Sequence, residues 1–171
     1  MATALGYSVK WDAKSYTAVL TKTGSTSDGN ASGGAPSGGN ASGGSTTAYS
    51  EADLYWMSRI IEAEAGGEPY KGKLAVGTVV MNRVRSKAYP STVYGVIFDR
   101  KNGVQFTPAA TGSIYKTPSS DSIKAAKEVL NGYRISGNIQ YFLNPSLASD
   151  AWFRKNLTYV CTIGSHVFYA P

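Results

Sequence analysis

The chain has 171 residues, 42% hydrophobic and 12% aromatic, enough for one ordinary domain with a core plus extra sequence. Its formal net charge of +6 favours an anionic partner, but the basic residues are scattered, which argues against nucleic acid. One cysteine, Cys161, and one histidine, His166, exclude an intrachain disulfide and leave a catalytic zinc site short of its usual ligands, so no metal or other cofactor is expected.

The opening Met1-Ala2-Thr3-Ala4-Leu5-Gly6-Tyr7 lacks the charged start and long apolar stretch of a signal peptide, and no run in the chain is long and apolar enough to span a membrane. Tyr7-Ser8-Val9-Lys10-Trp11 and Tyr16-Thr17-Ala18-Val19-Leu20 flank Asp12-Ala13-Lys14, a pattern that predicts a β-hairpin over residues 1–20. A lone hairpin is marginal in water. From 21 to 48 the composition turns to Gly, Ser, Thr, Asn and Ala, with Gly-Asn-Ala-Ser-Gly-Gly at 29–34 returning at 39–44. Such a stretch buries too little to offset its ordering entropy, so a flexible linker is expected.

A folded domain is predicted over 49–171. Ser50 and Asp53 form a capping-box pattern, with Tyr49 and Leu54 placed as a hydrophobic staple. The helix that follows carries Leu54, Met57, Ile60 and Ile61 to about Ala65, where Gly66-Gly67 ends it. Pro69 suits the first turn of a second, largely apolar helix over 70–85; its β-branched content leaves a strand open. Ser91 is placed to cap a short helix over 92–98, and a loop is expected over 99–118. Ser119 or Ser120 starts an amphipathic helix through Ile123, Ala126, Val129 and Leu130, stopped by Gly132. Strand patterns follow at 138–143, 159–163 and 166–169, the last two joined at Gly164-Ser165. The fold class is therefore α+β, mostly helical, with a small antiparallel sheet near the C-terminus.

Of eleven carboxylates, most have simple explanations. Asp12 and Asp28 lie outside the domain. Glu51, Asp53 and Asp121 fall in helix first turns, and Glu128 on a polar helical face. Asp99 and Asp150 are left in loops. On a wheel with Leu54 at zero, Glu64 falls at about 280°, amid Ile60, Met57 and Ile61. Glu62 falls at about 80°, on the polar face, as a solvated partner for Arg59 or Ser58. A carboxyl on the apolar face, near the negative end of a helix dipole, has its pKa raised twice over. A glycosidase general acid needs that property; a buried structural glutamate is the plainer reading of the same position.

The run Ile61-Glu62-Ala63-Glu64-Ala65-Gly66-Gly67-Glu68-Pro69-Tyr70-Lys71-Gly72, then Ala75-Val76 and Val80-Met81-Asn82-Arg83-Val84, resembles the spore cortex-lytic enzyme family of cell wall hydrolases, the SleB/CwlJ type. The likeness continues through Gly95-Val96-Ile97-Phe98, Gln105-Phe106-Thr107, Tyr141-Phe142-Leu143-Asn144-Pro145 and Ile163 to Tyr169. It implies a lysozyme-like catalytic domain that cuts the MurNAc-GlcNAc β-1,4 bond of peptidoglycan. The catalytic glutamate of the Glu-Ala-x-Gly-Glu-Pro motif falls on Glu64, and the second Glu on Glu68. Glu68 is read as support for the site, against helix capping before Pro69; Gly67 stands where the family commonly has Arg. The resemblance favours a lytic transglycosylase, in which the muramic C6 hydroxyl replaces water and one Glu suffices. A muramidase using Glu68 or Asp99 as second group is the alternative.

Gln105, Phe106, Tyr141 and Asn144 are candidate sugar contacts, with core packing the rival reading for the aromatic pair. Asn82 is expected to bond a neighbouring loop, that of Gln105 being one choice. Cys161 and His166 raise two other classes: an amidase or stem-peptide peptidase, which needs thiol and imidazole in contact, and a non-catalytic wall-binding module. A wall substrate places the protein outside the cytoplasm, as a monomer on glycan strands. Residues 4–20 resemble the final hairpin of the copper amine oxidase N-terminal-like domain. That likeness carries no copper chemistry and suggests a piece of a longer protein.

Overall fold

A computed structural model describes residues 3–4, 7–12, 17–22 and 49–171, apart from 102 and 136. The chain forms two compact units, Met1–Thr46 and Thr47–Pro171. In the first, strands β1 (Thr3–Ala4), β2 (Tyr7–Asp12) and β3 (Thr17–Lys22) form an antiparallel sheet in that order. The hairpin pairs Val9 with Leu20 and Asp12 with Thr17. Strand β3 takes in the first two residues of the expected linker; the rest of that linker, 23–48, lies outside the described residues.

The second unit begins with α1 (Glu51–Ala65), and the expected capping box is formed: the Ser50 hydroxyl accepts from Asp53 N while Asp53 accepts from Ser50 N. The C-terminal end departs from expectation. Gly66 is right-handed, so no left-handed glycine ends the helix. Instead Lys73 Nζ donates to the carbonyls of Ala65 and Gly66, at 2.7 and 2.6 Å. The buried ammonium thus fills two carbonyls the helix leaves open and offsets its dipole there.

Helix α2 (Tyr70–Arg85) follows Pro69, which settles the strand alternative. The short α3 (Val93–Ile97) is capped by Thr92 rather than Ser91. The region expected as loop holds α4 (Thr107–Thr111) and a 3-10 turn at Ser113–Tyr115. Five-residue helices show no full hydrophobic period, which is why the pattern hid them. Helix α5 (Ser120–Leu130) is capped by Ser119, and α6 (Ala151–Asn156), with no buried residue, was likewise unannounced.

Helices α1, α2 and α5 pack on one another. Met57, Ile60 and Ile61 meet Val76, Val79 and Val80 of α2 and Ala126 and Val129 of α5 in the core. Gly77 allows the approach: a Cβ there would stand 3.0 Å from Ile61 Cδ1 and 3.1 Å from Val129 Cγ2. Truncating Ile61 to Ala at this crossing costs about 2–5 kcal/mol. Trp56 meets Tyr94, Phe98 and Tyr115 edge-on, seating α3 against α1.

Strands β4 (Tyr141–Leu143), β5 (Thr158–Ile163) and β6 (His166–Ala170) form an antiparallel sheet in the order β4-β6-β5. Strand β4 is half its expected length: before it, only Gln140 N reaches Tyr169 O. The preceding carbonyls are taken by helix α2 instead.

Candidate active site

Glu64 sits in the last turn of α1, on the face occupied by the fully buried Met57, Ile60 and Ile61. Burial pushes its carboxyl up to about 7, opposed by the charge of Arg83 on α2. With Lys73 closing the helix end, burial rather than the dipole is the cause. Glu62, two residues away, points elsewhere. Its Oε2 accepts from Ser119 N, Ser119 Oγ and Ser122 Oγ at 3.0, 2.6 and 2.6 Å, so it caps α5 and is not a solvated partner of Arg59 or Ser58. The Ser119 and Ser122 hydrogen bonds hold it down at about 2. Two carboxyls two residues apart are thus driven in opposite directions by their surroundings.

Arg83 was not among the residues singled out, yet it organises the site. Only 5% exposed, it donates from Nε to Gln140 O at 2.8 Å. Its guanidinium carbon lies 5.2 Å from the Tyr89 ring centroid, 5.1 Å from Phe106 and 5.7 Å from Tyr141. The adjacent Asn82 Nδ2 donates to Ile139 O at 2.9 Å, so Asn82 holds the approach to β4 and not the Gln105 loop. Together these bonds fix the backbone leading to Tyr141, whose phenol hydroxyl also hydrogen-bonds Tyr89; burial, then this bond, pushes Tyr89 up to about 12. The available signal was two strongly polar residues, Asn82 and Arg83, inside an apolar helix.

Of the expected sugar contacts, Tyr141 lies beside Arg83, while Phe106 is 2% exposed and packs against Phe142, forming part of the wall behind the site. Gln105 stands next to it, its Nε2 at 3.4 Å from Gly103 O. Asn144 Oδ1 accepts from Ser146 N at 2.9 Å, closing the turn after β4.

Glu68 does not cap a helix. It receives Ser165 N at 2.9 Å and Ser165 Oγ, tying the α1–α2 junction to the β5–β6 turn. The Ser165 hydroxyl above all, with help from its backbone N–H, holds the carboxyl below the usual range against the opposing effect of burial. A Cβ on Gly164, whose φ is +60°, would overlap Glu68 Oε2, which explains the glycine.

Cys161 and His166 do not meet. The in-register partner of Cys161 is Phe168, and that of His166 is Ile163. The imidazole packs edge-on to Phe142 at 5.2 Å, and burial pushes it towards the neutral form. Burial also raises the Cys161 thiol, away from the thiolate a nucleophile needs. A cavity of about 380 Å³ lies over β5 and β6, lined by Arg154, Tyr159 and Tyr169 among others. Neither Glu64 nor Arg83 lines it.

The profile of the family described as Cell Wall Hydrolase matches residues 67–169. The chain belongs to the cell wall hydrolase family. Within that family it is 39% identical over 120 residues to a spore cortex-lytic enzyme of Bacillus cereus, covering 70% of this chain and 45% of that protein. It is 30% identical over 128 residues to the cell wall hydrolase CwlJ of Bacillus subtilis, covering 71% and 87%. Among solved structures, it is similar to the catalytic domain of the germination-specific lytic transglycosylase SleB from Bacillus anthracis. That match has a TM-score of 0.63 and 39% identity, covering 71% of this chain and 96% of that one. The catalytic domain of Bacillus cereus SleB matches with the same TM-score, 38% identity and 74% and 99% coverage. The lysozyme-like α+β class is thus that of the domain. The chain spans about half the length of the spore cortex-lytic enzymes it matches. Glu64 stands just before the matched span, whereas Arg83, Tyr141 and the Gly164-Ser165 turn lie inside it.

Proposed function

We propose that this cell wall hydrolase domain is a peptidoglycan-lytic glycosidase, acting on the MurNAc-GlcNAc β-1,4 bond as a lytic transglycosylase with Glu64 as its single acid and base. The supporting observation is the place of Glu64 on the apolar face of α1 beside Met57, Ile60 and Ile61, where burial pushes its carboxyl up to about 7. Glu68 is committed to Ser165, and Asp99 accepts from Lys101 N. Protonated near neutrality, Glu64 can give its proton to the glycosidic oxygen as the C1–O bond breaks. The resulting carboxylate then takes the proton of the muramic C6 hydroxyl as that oxygen bonds to C1. The products are a 1,6-anhydro sugar and a free hydroxyl on the departing chain, with Glu64 protonated again.

Tyr141 and Gln105 are the side chains we assign to sugar contact, with Asn144 shaping the turn beside them and Glu68 supporting the site through the hairpin. All come from one chain, and we read the enzyme as a monomer needing no cofactor. A wall substrate places its action outside the cytoplasm, and the names of its relatives favour cortex peptidoglycan. The N-terminal sheet we read as the end of an upstream wall-associated module.

Mass analysis of digested cortex peptidoglycan tests the reaction. Anhydro-muropeptides are expected. New reducing ends point to a muramidase, free stem peptides to an amidase, and an unchanged substrate to a binding module; each contradicts the transglycosylase reading.

A further inference from the structure

We propose that the cavity over β5 and β6 is a second carbohydrate-binding site, apart from the catalytic carboxyl, that holds an acidic disaccharide-peptide unit of peptidoglycan. The inference rests on the reading of the wall as substrate and adds a place where the chain grips it without cutting.

The cavity, about 380 Å³, falls within the size of small-molecule sites, roughly 300–1,000 Å³. Tyr169 and Val167 of β6, Tyr159 and Thr162 of β5, and Arg154 and Leu157 at the end of α6 line it. The pairing of β5 shows how the sequence builds it. Residues three apart on a regular strand point to opposite faces. Tyr159 and Thr162 are three apart, yet both line the cavity, with their hydroxyls 3.2 Å from each other. The register supplies the reason. Tyr159 pairs with Tyr169 and Cys161 with Phe168, so Val160 is the extra residue of a β-bulge between them. Tyr159 and Thr162 thus share the face of their in-register partners, Tyr169 and Val167. Re-aiming a side chain is what a bulge does beside a functional site.

The lining fits a sugar that carries a carboxylate. Tyr159 is 59% exposed although it sits within a strand. A ring so placed offers its negative face to the C–H bonds of a pyranose. The Tyr159 and Thr162 hydroxyls stand beside it, able to donate to and accept from sugar hydroxyls. Arg154 brings the charge. Its Nε is held by Asp150 at 2.6 Å with the side chain 73% exposed, and a guanidinium has more donors than that one bond uses. Its planar fork matches the carboxylate of a muramic lactyl group or of a stem peptide. Only Leu157 and Val167 of the lining are aliphatic, too few to seat an apolar peptide or a second copy of this chain.

The full chain carrying Glu64→Gln, which leaves the ligand uncut, is titrated with GlcNAc-MurNAc-tetrapeptide and with neutral chitobiose and followed by amide NMR. The amides of Tyr159, Thr162 and Val167 are expected to shift and saturate. Arg154→Gln should weaken the response to the acidic unit about tenfold and leave that to chitobiose nearly unchanged. Tyr159→Ala should weaken both about tenfold. Both side chains are exposed, so the fold should survive either change, which circular dichroism checks. With Glu64 in place, the same two substitutions should leave turnover of short soluble glycan fragments unchanged and slow release from insoluble peptidoglycan several-fold. Unmoved amides, an equal effect of Arg154→Gln on both ligands, or soluble and insoluble substrates slowed alike overturns the proposal, and the bulge then only guards an edge strand. The catalytic reading fails separately: a digest without anhydro-muropeptides, with the cavity shifts kept, sinks that reading and leaves the second site standing.

Discussion

At the scale of single residues, Glu64 and Glu62 show how little sequence separation constrains chemistry. The folded value of Glu64, about 7, is above the ordinary 4.5, so folding favours its protonated form. The stability this provides is complete below pH 4.5 and is lost as pH rises through 7, a difference of about 3 kcal/mol. Glu64→Gln should therefore raise the unfolding free energy by up to this amount at pH 8 and scarcely at pH 4. Denaturant titration at both pH values checks it; equal effects would mean that Glu64 is not buried as an anion. Glu62 has the opposite sign. Held at about 2, it stabilises fully above pH 4.5, and that contribution disappears as pH falls from 4.5 towards 2. Being only partly buried and screened by solvent, it is discounted to the size of a helix cap, and Glu62→Ala should cost about 1 kcal/mol at pH 7 and almost nothing near pH 2.

At the scale of elements, the joints carry the site. Lys73 closes α1, Glu62 opens α5, Asn82 and Arg83 hold the chain entering β4, and Glu68 clasps the β5–β6 turn. Gly164→Ala should destabilise the domain by about 2 kcal/mol or more, because it adds a Cβ at positive φ against the clasp. Combining it with Glu68→Ala should recover part of that loss, read as a higher melting temperature than additivity allows. Purely additive costs would show that the two do not share one contact.

The same joints divide what was legible in the sequence from what was not. Helices α1, α2 and α5 carry a full hydrophobic period and their caps, so their spans could be read closely; the apolar phase of Glu64 came with them. Helices α3, α4 and α6 are too short to display a period, and Thr92 rather than Ser91 caps α3 because a cap is chosen by geometry one residue at a time. The partners of Glu62, Arg83 and Glu68 lie 57 to 97 residues away in sequence, or in ring contacts, beyond the reach of local patterning. Phe106 illustrates the ambiguity of an aromatic: the fold, not the residue type, put it behind the site.

At the scale of the molecule, a helical body is tied to a three-stranded sheet through Arg83 beside Tyr141 and Glu68 bound to Ser165. Membership of the cell wall hydrolase family and the likeness to SleB catalytic domains agree with that architecture. The net charge of +6 suits an anionic wall polymer. Raised salt should therefore weaken substrate binding more than it slows kcat, seen as a KM increase in salt-dependent kinetics; a change confined to kcat would argue against charge-led binding.

The most direct measurement is digestion of purified cortex peptidoglycan by the wild-type chain and by Glu64→Gln, with fold compared by circular dichroism. The variant is expected to keep its fold and lose at least a hundredfold in product formation, on the order of what a general acid contributes. A folded Glu64→Gln protein that releases muropeptides at the wild-type rate would contradict the assignment of Glu64 as the catalytic acid.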